Sequence, residues 1–168
     1  IQMKSFVSIF SILLLTHFCP TEISAQQLSQ AEMAALSAEY AIKSFPMLKE
    51  LYSIPNDAHF PEDIEKNIQW CEEHFSQRDF TTYRINTETV PLLLAERKHE
   101  GAEKTVLIYL QLDGQPVDPS RWFQESPWKP ALKQPNGEGG FEEIPWERIN
   151  EYEDEWRIFV RAAADAKG

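Results

Sequence analysis

The chain has 168 residues, 42% of them hydrophobic, which is enough to build the core of one ordinary domain. It carries 27 acidic and 16 basic residues, so its formal net charge is −11. Proteins that bind nucleic acids present a basic footprint, and this charge balance therefore argues against a nucleic-acid partner. A strongly acidic surface is otherwise typical of a protein that is kept in solution by its own charge.

The first 25 residues have the pattern of a signal peptide. Lys4 is followed by an apolar run over residues 6–15, and the small residues Ser24 and Ala25 close the segment. The apolar run is too short to cross a bilayer. We therefore expect a cleaved signal peptide at residues 1–25, no membrane span, and export of the mature protein to a periplasm or to the extracellular space.

Ile1 and Gln2 precede Met3, and we therefore expect translation of the natural protein to begin at Met3. Removal of the signal peptide would take away Cys19 and leave Cys71 as the single cysteine, which rules out an intrachain disulfide. Cys71 lies on the apolar face of a predicted helix and is expected to be a core thiol. His74 falls on the solvated side of the same helix.

Two helices are predicted in the first half of the mature chain. Ser29 and Glu32 form a capping box, and the apolar spacing that follows predicts a helix over Glu32–Leu51. Pro46 either interrupts this helix or begins a second one. A proline followed by acidic residues then opens a helix over Pro61–Gln77, because the first turn tolerates proline and favours negative charge.

Five segments have the patterns of strands, and one of them is predicted to be central. The segment Val106–Leu112 is almost wholly apolar, which is typical of a strand buried on both faces. Pro127 and Pro130 flank Trp128, and because proline has no N–H to donate to a sheet, we expect this segment to be an edge strand. The five segments are Phe80–Asn86, Val90–Ala95, Val106–Leu112, Trp128–Lys133 and Arg157–Arg161. We expect an α/β fold in which the two helices flank a mixed, mostly parallel sheet.

The stretch 134–155 differs in kind from the rest of the chain. It contains eight acidic residues and one basic residue, Arg148, together with two glycine-containing turns. This composition predicts an acidic surface insertion with a short helix near Trp146–Tyr152. An acidic run of this type is usually a solvated face, and its spacing matches no calcium-binding loop that we can name.

Polar side chains follow two of the predicted strands. Gln111 and Asp113 stand at the end of the central strand, and Asp165 follows the last one. Open α/β sheets bind their ligands at the carboxyl ends of strands. Because side chains alternate along a strand, Gln111 and Asp113 point the same way. The alternative is that these acids only cap backbone amides in turns.

Three stretches together resemble a known family. They are LKELYSIPNDA at 48–58, LIYLQLDGQPVDPSRW at 107–122 and WRIFVRAAADAKG at 156–168. In this order they resemble the amino-terminal part of the catalytic domain of the co-catalytic zinc metallopeptidases of family twenty, which include carnosinase-like dipeptidases, glutamate carboxypeptidases and aminoacylases. The resemblance covers about residues 32–168.

The resemblance implies a hydrolase with two divalent metal ions, zinc by preference. Asp165 would bridge the two ions, and Asp113 would be the catalytic residue that orients the ligand of the first motif. Gln111 occupies the position of the family's histidine ligand, although an amide oxygen is a poor ligand for zinc. The general base and the remaining ligands lie beyond Gly168 in the family. Residues 26–168 are therefore expected to be a truncated portion of the domain that is inactive alone.

The expected function is that of an exported peptidase of the dipeptidase or carboxypeptidase type. It would hydrolyse peptide or amide bonds through a water activated by two metal ions, and it could form a homodimer through a domain outside this sequence. The first alternative is a non-catalytic relative that serves as a binding module, suggested by Gln111. The second is an unrelated exported α/β domain whose acids only cap turns.

Overall fold

A computed structural model describes residues 28–151 and 153–168. The predicted signal peptide at 1–25 lies outside these ranges. In chain order the described elements are α1 (Gln30–Tyr52), α2 (Pro61–Ser76), β1 (Thr81–Ile85), β2 (Leu92–Glu96), a 3₁₀ turn (Pro119–Arg121), β3 (Ala131–Pro135), β4 (Phe141–Ile144), a second 3₁₀ turn (Trp146–Glu151) and β5 (Arg157–Phe159).

Both predicted helices are confirmed to within a few residues. The Ser29 backbone N–H donates to Glu32 Oε2 at 2.8 Å, and the Glu32 backbone N–H donates to Ser29 Oγ at 3.3 Å, which completes the capping box. Helix α1 continues through Pro46, so that proline neither interrupts the helix nor starts another. Neither described helix combines the length and apolarity needed to cross a bilayer.

Helix α2 ends in a Schellman motif. The backbone N–H of Phe80 donates to the Phe75 carbonyl at 3.1 Å, and that of Asp79 donates to the Ser76 carbonyl at 3.1 Å. The Phe75 and Phe80 rings lie 5.3 Å apart between centroids and add the apolar contact that accompanies this motif. Asp79 has a φ of 62°, in the left-handed region that favours glycine.

We predict that Asp79→Gly stabilises the protein. Glycine removes the cost of a left-handed φ, about 1 kcal/mol, whereas the exposed ion pair of Asp79 with Arg97 at 3.6 Å contributes little. Asp79→Ala loses the same ion pair but keeps the Cβ atom, so it is the matched control. Urea denaturation at low protein concentration measures both variants. Equal free energies of unfolding for the two variants would contradict this account of the helix end.

The first sheet is a two-stranded antiparallel hairpin. Strands β1 and β2 pair from Thr81 opposite Glu96 to Ile85 opposite Leu92, and the hairpin packs against α2. Arg84 fastens it to that helix by donating to Glu65 and Glu72 at 2.6–2.9 Å. Both strands were predicted. The side chains of β2 alternate between exposed and half-buried, and no further strand pairs with β2 among the described residues.

The second sheet has three antiparallel strands in the order β4-β3-β5. The prediction of an edge strand at Trp128–Lys133 is therefore wrong, since β3 pairs on both sides. Prolines do not prevent this pairing because Pro130 precedes the first paired residue and Pro135 is the last.

The acidic stretch 134–155 is not a simple surface insertion. It supplies β4 and the second 3₁₀ turn, a short 3₁₀ helix at the position of the predicted short helix. Ile144 and Ile149 from this stretch are buried against Leu132 and Trp156 in the core cluster. The acids lie on the solvated side as expected, but the apolar residues between them build part of the core.

At a coarse level the fold is a mixed α/β arrangement of two helices with small antiparallel sheets. The expectation of a mostly parallel sheet is not supported by the described residues, whose parallel pairing is one isolated bridge between Asp57 and Gly114. The expectation of a buried central strand is wrong. Side chains from Val106 to Leu110 are 72–85% exposed, and the segment forms no ladder. Apolar composition cannot bury a segment when no neighbouring element covers it.

We predict that this exposed apolar segment makes the chain self-associate, because an extended segment without partners offers its backbone and side chains to other copies. Ile108→Lys should reduce self-association. Phe123→Lys introduces the same charge at another fully exposed apolar residue and should have a smaller effect. Sedimentation velocity over a range of concentrations tests this. A wild-type chain that stays monomeric and unfolds cooperatively and reversibly would contradict the prediction.

Candidate functional site

Two of the stretches that carry the resemblance meet here, namely the first motif at 107–122 and the second motif at 156–168. The turn that follows α1 holds the first motif in place. Asn56 is fully buried in this turn, and its Nδ2 donates to the Leu112 carbonyl at 2.9 Å. In return, the backbone N–H of Gly114 donates to the Asn56 carbonyl at 2.8 Å. A Cβ atom on Gly114 would lie 3.0 Å from the Asn56 amide, so this close approach favours glycine.

Helix α2 supports the same turn from the other side. Asn67 is fully buried, and its Nδ2 donates to the Pro55 carbonyl at 2.6 Å and to the Asp63 carbonyl at 2.8 Å. The Oδ1 atoms of Asn56 and Asn67 are buried, and neither finds a donor among the described residues. The turn is thus fixed by two buried amides.

Asp57 adds a negative charge beside this turn. Its Oδ1 accepts from the His59 backbone N–H at 2.9 Å and lies 2.7 Å from His59 Nδ1. The backbone hydrogen bond from His59 lowers the pKa of Asp57, and the His59 ring and the Arg161 charge act in the same direction. Asp57 is therefore held in its ionised form close to the second motif.

The second motif reaches the end of α1 through a buried lysine. Lys167 Nζ donates to the Leu51 and Ile54 carbonyls, each at 2.6 Å. Leu51 lies in the last turn of α1 and Ile54 lies just after it, where the helix dipole favours positive charge. Burial nevertheless lowers the pKa of Lys167 to about 7. Burial also raises the pKa of the neighbouring Cys71 thiol, and the Lys167 charge opposes that shift.

Arg161 joins the two motifs directly. Its Nε and Nη2 donate to the Gln115 carbonyl at 3.1 and 2.7 Å, and Nη2 lies 3.7 Å from Asp165 Oδ2. The next residue, Ala162, has a φ of 70°, which is unfavourable for a residue with a Cβ atom. The backbone N–H of Lys167 donates to the Ala162 carbonyl at 3.1 Å and closes this turn.

The structure brings the predicted site residues together only in part. Gln111 is exposed, and its Nε2 donates to the Asp113 carbonyl at 3.2 Å. Asp113 is half-buried. Asp165 is exposed and lies beside Arg161, 3.7 Å from its Nη2 atom. Within the described part of the chain, no hydrogen bond or ion pair links Asp165 to Gln111 or Asp113. Nor do three or more His, Cys, Asp or Glu side chains converge there as metal ligands would.

The other two predicted side chains differ from expectation. Cys71 is half-buried and so belongs to the border of the core. The His74 ring stacks on Trp70 with centroids 3.7 Å apart, and its Nδ1 lies 2.8 Å from the Trp70 carbonyl. His74 is thus partly covered, whereas the sequence placed it on the solvated side.

Sequence reasoning overlooked the residues that assemble the site, namely Asn56, Arg161 and Lys167. All three lie inside the stretches that carry the family resemblance, and that was the one available signal. Their spacing in sequence gives no hint of their contacts, because each bonds to the backbone of a distant segment.

No protein-family model matches the chain, and neither a curated protein nor a solved structure matches it.

The buried lysine gives a pH-dependent prediction. Its pKa is about 7 in the folded protein and near 10.5 when unfolded, so between these values the unfolded chain binds the proton and the folded one does not. The burial cost is therefore fully present below pH 7 and is relieved as the pH rises. Wild type should gain about 2 kcal/mol relative to Lys167→Met between pH 7 and pH 9.

Urea denaturation of both proteins across this pH range measures the difference. The exposed substitution Lys104→Met is the matched control and should show no such change. Parallel stability curves for wild type and Lys167→Met would contradict the prediction.

Proposed function

We propose that this chain belongs to the catalytic domain of an exported metal-dependent peptidase of dipeptidase or carboxypeptidase type. It would hydrolyse peptide or amide bonds through a water activated by two divalent metal ions. The observation that carries the proposal is the convergence of both motifs on the turn after α1. Asn56 holds the first motif, Lys167 anchors the second, and Arg161 connects the two.

In this proposal Asp165 bridges two metal ions, zinc by preference, and Asp113 orients the group at residue 111. The described residues alone do not complete such a centre. Gln111 directs its amide nitrogen at the Asp113 carbonyl, and Asp165 faces Arg161. In the proposal, the general base and the remaining ligands belong to residues after Gly168.

The proposal extends to fold and location. Further strands of a mostly parallel sheet would cover the exposed segment Val106–Leu112. The bridge between Asp57 and Gly114 is parallel and supports parallel pairing of these strands. A signal peptide at 1–25 would send the protein to a periplasm or to the extracellular space. A peptide or dipeptide is the substrate, and a homodimer would form through a further domain.

A non-catalytic binding module is the second candidate. It is favoured by the exposed Gln111 side chain, whose amide is already bonded to backbone at 3.2 Å. Such a protein would keep the fold and the contacts of Arg161 but would lack turnover.

The deciding experiment uses the polypeptide that contains this sequence together with the residues after Gly168. We expect it to hydrolyse members of a dipeptide panel after zinc is restored to the metal-free protein. Asp165→Asn should lower the rate by more than about 100-fold, since it alters a bridging ligand. Asp154→Asn changes an exposed acid and serves as the control. Residues 26–168 alone should be inactive.

Gln111→His separates the two candidates. An imidazole held by Asp113 should tighten binding of one metal ion by at least about 10-fold and leave the other nearly unchanged. Gln77→His places the same ring at an exposed position and is the control. Calorimetric titration of zinc measures both variants. Absence of turnover together with unchanged zinc affinity would favour the binding module.

A further inference from the structure

A shallow cleft lies beside the junction of the two motifs. Its lining residues are Pro116, Val117, Asp118, Arg121, Trp122 and Arg161. One wall is therefore apolar, and two guanidinium groups contribute to the rest. Since Arg161 also reaches the Gln115 carbonyl and Asp165, the cleft adjoins the candidate site.

Arg121 differs from every other arginine of the chain. All seven arginines lie in the described residues, and six of them have a side-chain hydrogen bond or ion pair. These six are Arg78, Arg84, Arg97, Arg148, Arg157 and Arg161. Among the residues that the structure describes, the Arg121 guanidinium has no such partner.

The backbone that carries Arg121 is nevertheless well fixed. Asp118 Oδ1 caps the 3₁₀ turn by accepting from the Ser120 backbone N–H at 3.0 Å and from Ser120 Oγ at 2.7 Å. The backbone N–H of Arg121 donates to the Asp118 carbonyl at 3.1 Å. The single acid of the cleft is therefore already used within its own turn, whereas the guanidinium remains available to a ligand.

The chemistry of the lining selects the class of ligand. Arg121 brings to the cleft a guanidinium without a partner among the described residues, in a chain whose net charge is −11, whereas Arg161 already lies 3.7 Å from Asp165. A planar guanidinium pairs with a carboxylate through two parallel hydrogen bonds. Val117 and Trp122 line the same cleft and favour an apolar group on the same ligand.

We propose that this cleft binds the carboxylate of a small organic acid with an apolar side chain, such as the carboxyl-terminal residue of a peptide. Arg121 pairs with the carboxylate, and the apolar wall holds the side chain. Binding does not require metal ions. That the cleft would select peptides with a free carboxyl end for hydrolysis is a corollary that rests on the proposed function.

The test titrates ¹⁵N-labelled protein with N-acetylphenylalanine in the presence of a chelator, and with N-acetylphenylalaninamide as the uncharged probe. We expect the acid to shift the Arg121 Nε–H and Trp122 indole signals and to bind at least about 10-fold more tightly than the amide. Arg121→Gln should lose that advantage, and Arg121→Lys should keep part of it. Arg97→Gln changes an exposed arginine that does not line the cleft and should bind like wild type.

Three outcomes would overturn the proposal. They are equal binding of acid and amide, full retention of the advantage in Arg121→Gln, and inorganic phosphate that competes as well as the acid does. The comparison of acid with amide uses the wild-type protein, so it remains a valid test even if a variant fails to fold. Binding of the acid, together with no dipeptide hydrolysis by the polypeptide that also contains the residues after Gly168, would remove the proposed peptidase and leave this site in place.

Discussion

The hydrogen bonds of Lys167 with the end of α1 are the constraint on which the rest of the site depends. Placing an amine where only 6% of the residue is exposed is costly, and the Leu51 and Ile54 carbonyls offset part of that cost by accepting hydrogen bonds from it. The last residues of the chain are thereby tied to a segment more than 110 positions earlier. With Lys167 fixed, Arg161 and Asp165 can occupy only a narrow range of positions.

The same turn also fixes the first motif, so one short segment sets the positions of two distant stretches. The Asn56 side-chain amide donates to the Leu112 carbonyl, and the Asn56 backbone carbonyl accepts from Gly114. Arg161 donates to the Gln115 carbonyl of the same motif. The bond between Gly114 and Asn56 joins backbone to backbone, whereas the bonds of the Asn56 amide and of Arg161 join a side chain to a backbone carbonyl. Such bonds tolerate changes in the neighbouring side chains but not in the donor itself, so the junction depends on a few polar residues.

The parts of the fold that follow local rules could be predicted from sequence. The capping box at Ser29, the proline that opens α2 and the alternation of β1 depend on residues a few positions apart. The position of β3 in the middle of its sheet and the exposure of Val106–Leu110 could not be predicted, because they depend on which distant segments lie alongside. For the site, the motifs pointed to Gln111, Asp113 and Asp165. The roles of Asn56, Arg161 and Lys167 could not be recognised from sequence patterns or spacing.

Several departures from local consistency lie around the first motif. Apolar side chains just before it are exposed to solvent, and among the described residues the buried Asn56 Oδ1 has no donor and the Arg121 guanidinium has no partner. A natural sequence accepts such conflicts where binding or catalysis requires them and is consistent elsewhere. The β1–β2 hairpin illustrates the contrast, because its Arg84 is fully engaged by two glutamates. Such conflicts are what binding at the proposed Arg121 cleft would require, and the contacts of Asn56, Arg161 and Lys167 hold the surrounding backbone in place.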